Sequence, residues 1–159
     1  MKVKTIFNEE IDTPCADCVV MDNTKFREGR IYQSKLWDLI QDSEIAYPGM
    51  VVLSPIRHVS NHMDLTGNEI KEPNVLMAHC KKAIPQIFDR EKIACMFYEK
   101  PNGHIHFVVI PLHGLVKVKN KHSVLGKLMA RAKELRGNKE NIVKVINAIN
   151  QFRNYFKSM

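Results

Sequence analysis

The 159 residues carry a formal net charge of +7, and 45% of them are hydrophobic, as in an ordinary globular protein. A chain of this length forms one domain, or one domain with an appendage, and buries a core without needing disulfide bonds. No apolar stretch approaches the roughly 20 residues that cross a bilayer, so we expect no membrane partner.

Four cysteines, Cys15, Cys18, Cys80 and Cys95, lie in a chain that opens with charged residues, MKVKTIFNEEID, and not with a cleavable apolar leader. Disulfide frameworks belong to oxidising compartments, and this chain is long enough to fold without one. We therefore expect reduced cysteines and a cytoplasmic location.

The basic charge is concentrated in the C-terminal third of the sequence. Residues 1–114 contain 13 basic and 15 acidic residues, whereas residues 115–159 contain 11 basic and 2 acidic residues, a net charge of +9. This division predicts a domain over residues 1–114 and a basic helical extension over residues 115–159, packed on the domain or continuous with it. Such an extension suits a polyanionic partner, and a solvated basic helix surface is the equal alternative.

The predicted elements begin with strands. Residues 30–42, RIYQSKLWDLIQD, combine aromatic and β-branched residues in a pattern typical of two short strands. A Pro-Gly turn then leads into a short buried strand from Met50 to Ser54. Residues 66–88 carry apolar residues at helical spacing, and Pro85 is expected to end or kink this helix.

Two further strands and two helices complete the predicted order. The segments KIACMFYEK and HIHFVVIPL are strong strand candidates, and the PNG between them predicts the turn of an antiparallel hairpin. Beyond residue 114, Ser123 is expected to cap one amphipathic helix that Gly137 stops, and Asn138 to cap a second. This mixture of strands and helices predicts an α+β fold.

Two histidines stand one residue apart at the head of the last predicted strand. Alternate side chains of a strand share a face, so His104, His106 and Val108 are expected on one side of the sheet. Histidines at this spacing converge on one site. The alternative is that both are surface histidines or satisfied core histidines.

Cys15 and Cys18 form a C-x-x-C pair, which supplies half of a tetrahedral zinc site. His58 and His104 would complete a Cys2His2 set. The same spacing in a reducing compartment is also typical of a redox-active pair, and coincidence is the third interpretation.

The segment YPGMVVLSPIRHVSNHMDLT, followed by a helix and then by HIHFVVIP, resembles the histidine triad (HIT) superfamily. Members of that superfamily carry a proline-ended strand before a histidine, a DLT-like segment, and the pattern H-h-H-h-H-h-h-P, where h is apolar. The resemblance runs from Cys15 to Pro111. It implies a HIT-like fold in which a helix packs on an antiparallel β-sheet.

The resemblance also implies roles for particular residues. Asp42 corresponds to an aspartate that binds ribose, and Ile40 to a residue that lines the base pocket. Lys100 and Asn102 fall in the loop that contacts phosphate, which is shortened here to YEKPNG. Their alternative role is an ordinary solvated hairpin turn.

In zinc-bearing members of the superfamily, the residues that match Cys15, Cys18, His58 and His104 hold a structural zinc. The middle histidine of the triad, here His106, is the nucleophile that attacks the α-phosphorus of a nucleotide. A neutral imidazole suits this role because it is nucleophilic near physiological pH. The resemblance therefore implies a nucleotide phosphohydrolase or nucleotidyl transferase that forms a nucleotidyl-histidine and acts on a nucleotide or dinucleotide.

Val108 departs from the pattern, because hydrolase members have a histidine at this third position and transferring members can have a glutamine. Loss of one transition-state donor costs about 2.7–4 kcal/mol, or 10²- to 10³-fold in rate. His113 is a candidate replacement, although it lies beyond Pro111 and off the alternation of the strand. The alternative function is a catalytically weak nucleotide- or RNA-binding module that uses the basic C-terminal helices.

Within the superfamily, FYEKPNGHIHFVVIP looks closer to the CwfJ-type domain, whose proteins act around spliceosomal intron lariats, than to the small purine-nucleotide hydrolases. The basic C-terminal third fits such an RNA partner, because Lys and Arg supply affinity for phosphate that does not depend on sequence. HIT proteins are often homodimers built on the sheet. We expect a homodimer here unless the C-terminal extension replaces that interface.

Overall fold

The computed structural model describes residues 2–15, 18, 27–89, 92–99, 103–112 and 122–159. The strands are β1 (Lys2–Lys4), β2 (Glu10–Asp12), β3 (Arg30–Gln33), β4 (Trp37–Gln41), β5 (Val51–Pro55), β6 (Ile93–Tyr98) and β7 (His106–Pro111). The helices are α1 (Gly67–Phe88), α2 (His122–Leu135) and α3 (Lys139–Lys157), with 3₁₀ turns at Arg27–Gly29 and His62–Asp64.

The central element is a five-stranded sheet in the order β3-β4-β5-β7-β6, and every neighbouring pair is antiparallel. Strands β1 and β2 form a separate two-stranded sheet. Strands β4 and β5 are buried along their whole length. The two polar side chains of β4 are hydrogen-bonded, Asp38 to Arg30 and Gln41 to the carbonyl oxygen of Tyr47. The predicted α+β class with an antiparallel sheet is confirmed.

Helix α1 begins at a capping box, in which Thr66 accepts the N–H of Glu69 and Glu69 accepts the N–H of Thr66. The indole of Trp37 in β4 donates to the carbonyl oxygen of Glu69 at 2.9 Å, which ties the start of the helix to the sheet. The helix does not end at Pro85, as one alternative predicted, but continues to Phe88. Ile84 is fully buried and Phe88 packs on the same core, so burial holds the last turn in place.

Helix α3 packs against β3 and α1. The ring of Phe156 stacks on Tyr32 at 5.2 Å between centroids, and Phe152 lies 6.3 Å from Phe88. Asn138 caps this helix as predicted, and its side chain accepts the N–H of Asn141 at 2.9 Å. The buried apolar residues of α3 belong to the same hydrophobic core as those of the sheet.

Two predictions, the cap of α2 and the start of β7, are wrong. Helix α2 begins at His122, so Ser123 lies inside its first turn and is not its cap. Strand β7 begins at His106, so His104 precedes the strand and does not share its alternation. Ile105, between the two histidines, donates its N–H to the carbonyl oxygen of Val59 and not to β6. The ladder of β7 with β6 therefore begins only at His106.

The predicted hairpin of β6 and β7 is confirmed, with Tyr98 opposite His106 and Met96 opposite Val108. Among the residues that the structure describes, no helix has the length and hydrophobicity needed to cross a bilayer.

Candidate functional site

Four predicted metal ligands come together although they are far apart in sequence. One ligand atom from each of Cys15, Cys18, His58 and His104 lies within 4.8 Å of all the others. The Cys18 sulfur is 3.2 Å from Nδ1 of His58 and 3.6 Å from Nδ1 of His104. Bonds of about 2.3 Å to sulfur and about 2.0 Å to nitrogen in a tetrahedral zinc site separate the two ligand atoms by about 3.5 Å. The two contacts of Cys18 with the histidines therefore have the spacing that a shared zinc ion requires.

The histidines of this cluster are oriented by bonds on the far side of their rings. His104 donates its Nε2–H to the carbonyl oxygen of Pro55 at 2.9 Å, so the lone pair of the neutral ring is on Nδ1, which faces Cys18. Nε2 of His58 lies 3.2 Å from the hydroxyl of Ser60. Metal-binding histidines are commonly fixed in this way by a carbonyl or another polar group. The donor set and the tautomer of His104 fit zinc.

The backbone of Cys15 is held by Thr13. The Thr13 hydroxyl accepts the N–H of Cys15 at 3.2 Å and donates to its carbonyl oxygen at 2.8 Å. Cys15 is buried and Cys18 is half-buried. Thr13 therefore supports the backbone that presents the sulfur of Cys15.

A charged network fixes the loop that carries His58. Arg57, the residue before it, forms two hydrogen bonds to the carboxylate of Glu69 at 2.8 and 2.9 Å and a third to the carbonyl oxygen of Asp64. The Arg57 guanidinium lowers the pKa of Glu69 to about 2, because its hydrogen bonds favour the ionised carboxylate. This network connects the start of α1 to the residue next to a candidate ligand.

His106 stands at the first position of β7, two residues from the cluster. Its Nδ1–H donates to the carbonyl oxygen of His104 at 3.0 Å, so the lone pair of the neutral ring is on Nε2. The ring of Tyr98 stacks on the imidazole, with centroids 5.2 Å apart and planes 17° from parallel. This half-buried imidazole has the tautomer that a nucleophile attacking through Nε2 needs.

The third triad position is part of an apolar wall. Val108 pairs with Val52 on β5, and Val52 pairs with Ile40 on β4, so the three side chains lie in a row on one face of the sheet. Val108 is 3% exposed and Ile40 is 4% exposed. The wall contains the predicted base-pocket residue, Ile40, together with the valine that replaces a polar triad member.

Asp42 follows the last residue of β4. One carboxylate oxygen accepts the backbone N–H groups of Glu44 at 2.9 Å and Ile45 at 2.8 Å, which closes a tight turn. Burial raises the pKa of Asp42 to about 6, although these two bonds act in the opposite sense. Asp42 therefore supports the turn that follows β4.

The predicted phosphate contacts Lys100 and Asn102, and the proposed substitute His113, lie outside the described residues. Tyr98, Arg57 and Glu69 were not predicted as site residues from the sequence. The hairpin pattern was a usable signal for Tyr98, because some residue of the preceding strand must lie opposite His106. The seven residues between β6 and β7 nevertheless left the register open.

The fold is shared with solved histidine triad proteins. A zinc-bound histidine triad family protein from Mycobacterium smegmatis is 16% identical with a TM-score of 0.55, covering 76% of this chain and 94% of that one. A HIT family member from Bacillus subtilis is also 16% identical, with a TM-score of 0.54 and coverages of 76% and 95%. A Plasmodium falciparum diadenosine triphosphate hydrolase, in complex with cyclomarin A, is 16% identical with a TM-score of 0.51 and coverages of 85% and 82%.

No protein-family model and no curated protein sequence matches this chain. The CwfJ-type variant is not distinguished by the structural matches and stays a prediction. The antiparallel sheet, the helix packed on it and the matches to several solved members agree with one another. The chain has the HIT-like fold of the histidine triad proteins.

Proposed function

We propose that this chain is a nucleotide phosphohydrolase or nucleotidyl transferase that acts at an α-phosphate through His106. The observation that carries the proposal is the hydrogen bond from Nδ1 of His106 to the carbonyl oxygen of His104, which puts the ring lone pair on Nε2. The names of two similar structures, a zinc-bound histidine triad protein and a diadenosine triphosphate hydrolase, support the metal and the class of substrate.

In the proposed reaction, Nε2 of His106 attacks the α-phosphorus and forms a P–N bond. The bond from phosphorus to the leaving group breaks, and its electron pair stays with the leaving group. The imidazolium that results keeps its Nδ1–H on the carbonyl oxygen of His104, which stabilises the new positive charge. Water or another acceptor then attacks phosphorus and returns the electron pair of the P–N bond to His106.

The nucleotide in this proposal lies along the face that carries Ile40 and His106. Ile40 contributes to an apolar wall against the base, and Asp42, beside it, carries the second carboxylate oxygen toward a ribose hydroxyl. Lys100 and Asn102 are proposed as phosphate contacts on the basis of the resemblance alone. The pairing of β4, β5 and β7 supports this arrangement, because it sets Ile40 on the same face as Val108. Val108 is two residues after His106 in β7, so His106 lies on that face as well.

Cys15, Cys18, His58 and His104 are proposed to hold one structural zinc ion. A closed Cys2His2 site supplies folding energy and leaves no position for substrate. In this protein it would fix the segment around residues 15–18 and the His58 loop against the start of β7. The zinc site would therefore hold in place the backbone carbonyl that orients His106.

The enzyme proposal is tested with adenosine phosphoramidate, dinucleoside polyphosphates and nucleotidyl-capped RNA. We expect product, or a nucleotidylated protein in the intact mass, and we expect His106→Ala to abolish both. His62→Ala is the matched control, because it removes an exposed histidine that pairs with Glu99. No product or adduct from any of the three substrates, with nucleotide binding retained, would contradict the enzyme and favour a binding module.

The second candidate is a nucleotide- or RNA-binding module with little turnover, and the buried Val108 favours it. Several cations of the basic C-terminal third make contacts within the chain, which limits this interpretation. Arg153 donates to the carbonyl oxygens of Arg30 and Glu28, and Lys144 pairs with Glu140.

The module is tested by the salt dependence of RNA affinity. A weaker salt dependence in the double variant Lys139→Gln with Lys157→Gln would support binding through the C-terminal helices, because each phosphate contact contributes about 1 to the slope of log affinity against log salt concentration. A slope and an affinity that the double variant leaves unchanged would refute it.

A further inference from the structure

We propose that the hydroxyl group of Tyr98 supplies the hydrogen-bond donor that Val108 cannot supply. The inference rests on the proposed function of His106 and extends it to the leaving group. It assigns Tyr98 as the residue that donates a proton to the atom that departs from phosphorus.

The pairing of β6 with β7 puts Tyr98 on the reacting face of the sheet. Tyr98 is opposite His106 and Met96 is opposite Val108, so all four side chains lie on the same face. The phenol ring stacks on the imidazole at 5.2 Å and 17°. Its hydroxyl lies 3.7 Å from the sulfur of Met96, the residue paired with Val108. The oxygen therefore lies beside the sulfur of Met96, the residue that pairs with the third triad position.

The hydroxyl proton can be redirected to a substrate. A thioether sulfur is a weak acceptor, and a phosphate or leaving-group oxygen is a much stronger one. Burial raises the pKa of Tyr98, and the negative charge of Asp42 raises it further. The phenol therefore keeps its proton at neutral pH and acts as a donor.

Tyr98 gives up one proton in the first step and regains one from water in the second. When Nε2 of His106 displaces the leaving group, the departing atom takes its bonding electron pair and the proton of Tyr98, which becomes a phenolate. When water attacks the phosphorus of the nucleotidyl-histidine, the phenolate takes one proton from that water. The P–N bond breaks, its electron pair returns to Nε2, and both side chains are restored.

This role makes the need for Tyr98 depend on the leaving group. A 4-nitrophenolate leaves without protonation, whereas an unactivated alkoxide or amine must be protonated as it departs. The loss of one positioned donor costs about 10²- to 10³-fold in rate. Tyr98→Phe keeps the stacked ring and removes only the oxygen, so the variant isolates this effect.

The test compares kcat of wild-type protein and Tyr98→Phe with two adenosine 5′-monophosphate derivatives, the 4-nitrophenyl ester and the phosphoramidate. We expect kcat to fall about 10²-fold or more for the phosphoramidate and less than about threefold for the nitrophenyl ester, with KM little changed. Tyr32→Phe is the matched control, because Tyr32 stacks on Phe156 away from this face. This control should leave both rates unchanged.

Equal losses for the two substrates would assign Tyr98 a purely structural role and overturn the inference. Equal activity of wild-type protein and Tyr98→Phe with the phosphoramidate would also overturn it, while leaving the function of His106 intact. A wild-type protein that turns over neither substrate and forms no adduct would overturn the proposed function, and the inference with it. The three failures are therefore distinguishable.

Discussion

His104 donates its Nε2–H to the carbonyl oxygen of Pro55 at 2.9 Å, and this bond turns the other ring nitrogen toward Cys18. Pro55 is the last residue of β5, so the sheet itself fixes the orientation of His104. His106, two residues later, donates its Nδ1–H to the carbonyl oxygen of His104, which leaves the lone pair on Nε2. Neighbouring histidines of one segment thus present different nitrogens, which suits one for a metal and the other for nucleophilic attack.

Zinc analysis is the first prediction. We expect about one zinc ion per chain in protein purified without chelator, and we expect Cys15→Ser to lose the metal and to melt at a lower temperature, because the binding energy of a structural site is folding energy. Cys95→Ser is the control, since Cys95 is an exposed cysteine outside the cluster. Elemental analysis and thermal unfolding provide the measurements. Metal-free wild-type protein would contradict the site.

The sequence predicted that these four side chains come together because metal chemistry restricts the choice. A C-x-x-C pair needs two more nitrogen or sulfur donors, and His58 and His104 stand at points where the resemblance requires them. The antiparallel hairpin was predictable for a different reason, since two apolar strands flank a turn signal. The hairpin depends on a local pattern, whereas the cluster depends on the order of motifs along the chain.

Other features depend on register and on contacts that no local pattern encodes. The alternation of the sequence predicted that His104 lies inside β7. The strand in fact begins at His106, because Ile105 bonds to Val59 and not to β6. The turn signal between β6 and β7 predicts the hairpin but not its register, so the pairing of Tyr98 with His106 could not be read from the sequence. No local pattern pairs Arg57 with Glu69, which lies 12 residues away. These positions require the fold to be known first.

Glu69→Gln is expected to loosen the His58 loop. Glutamine can still accept the N–H of Thr66 in the capping box, but it has no charge to pair with Arg57. We expect about 1–2 kcal/mol lower free energy of unfolding, and faster loss of zinc to a chelator. Urea unfolding and a chelator time course measure the two effects.

The pH dependence of the same variant has a definite sign. The lowered pKa of Glu69 means that its contribution is present above its ordinary value of 4.5 and is lost as the pH falls toward about 2. The gap in stability between wild-type protein and Glu69→Gln should therefore narrow in acid. Glu72→Gln, on the same helix, is the control and should follow the wild type. A constant gap from about pH 7 to about pH 3 would argue against the ion pair.

Asp42→Asn is expected to change the pH dependence in the opposite direction. The pKa of Asp42 is raised from 3.8 to about 6, so between these values the folded chain holds a proton that the unfolded chain has lost. The free energy of unfolding of the wild type therefore falls as the pH rises from about 4 to about 6. The side-chain amide introduced by Asp42→Asn can accept the same backbone N–H groups without a charge, so this decline should disappear.

The measurement for Asp42 is urea unfolding of metal-free protein at several pH values, which keeps metal binding out of the comparison. Asp64→Asn, a change at an exposed carboxylate, should leave the decline in place. Parallel curves for the wild type and Asp42→Asn would mean that the carboxylate is solvated, and the raised pKa would then be wrong.

Val108→His, which completes the histidine triad in sequence, is expected to destabilise the protein. Val108 is 3% exposed and lies beside Val52 in the apolar wall, so the imidazole would have to give up its hydration without assured partners. Burying such a polar group costs about 1–3 kcal/mol in proteins, and overpacking of the wall adds to the loss.

Val75→His is the control, because Val75 is 55% exposed on α1 and should tolerate the change. Urea unfolding of both variants measures the difference. If Val108→His were as stable as the wild type, the valine would not be a packing requirement of this fold.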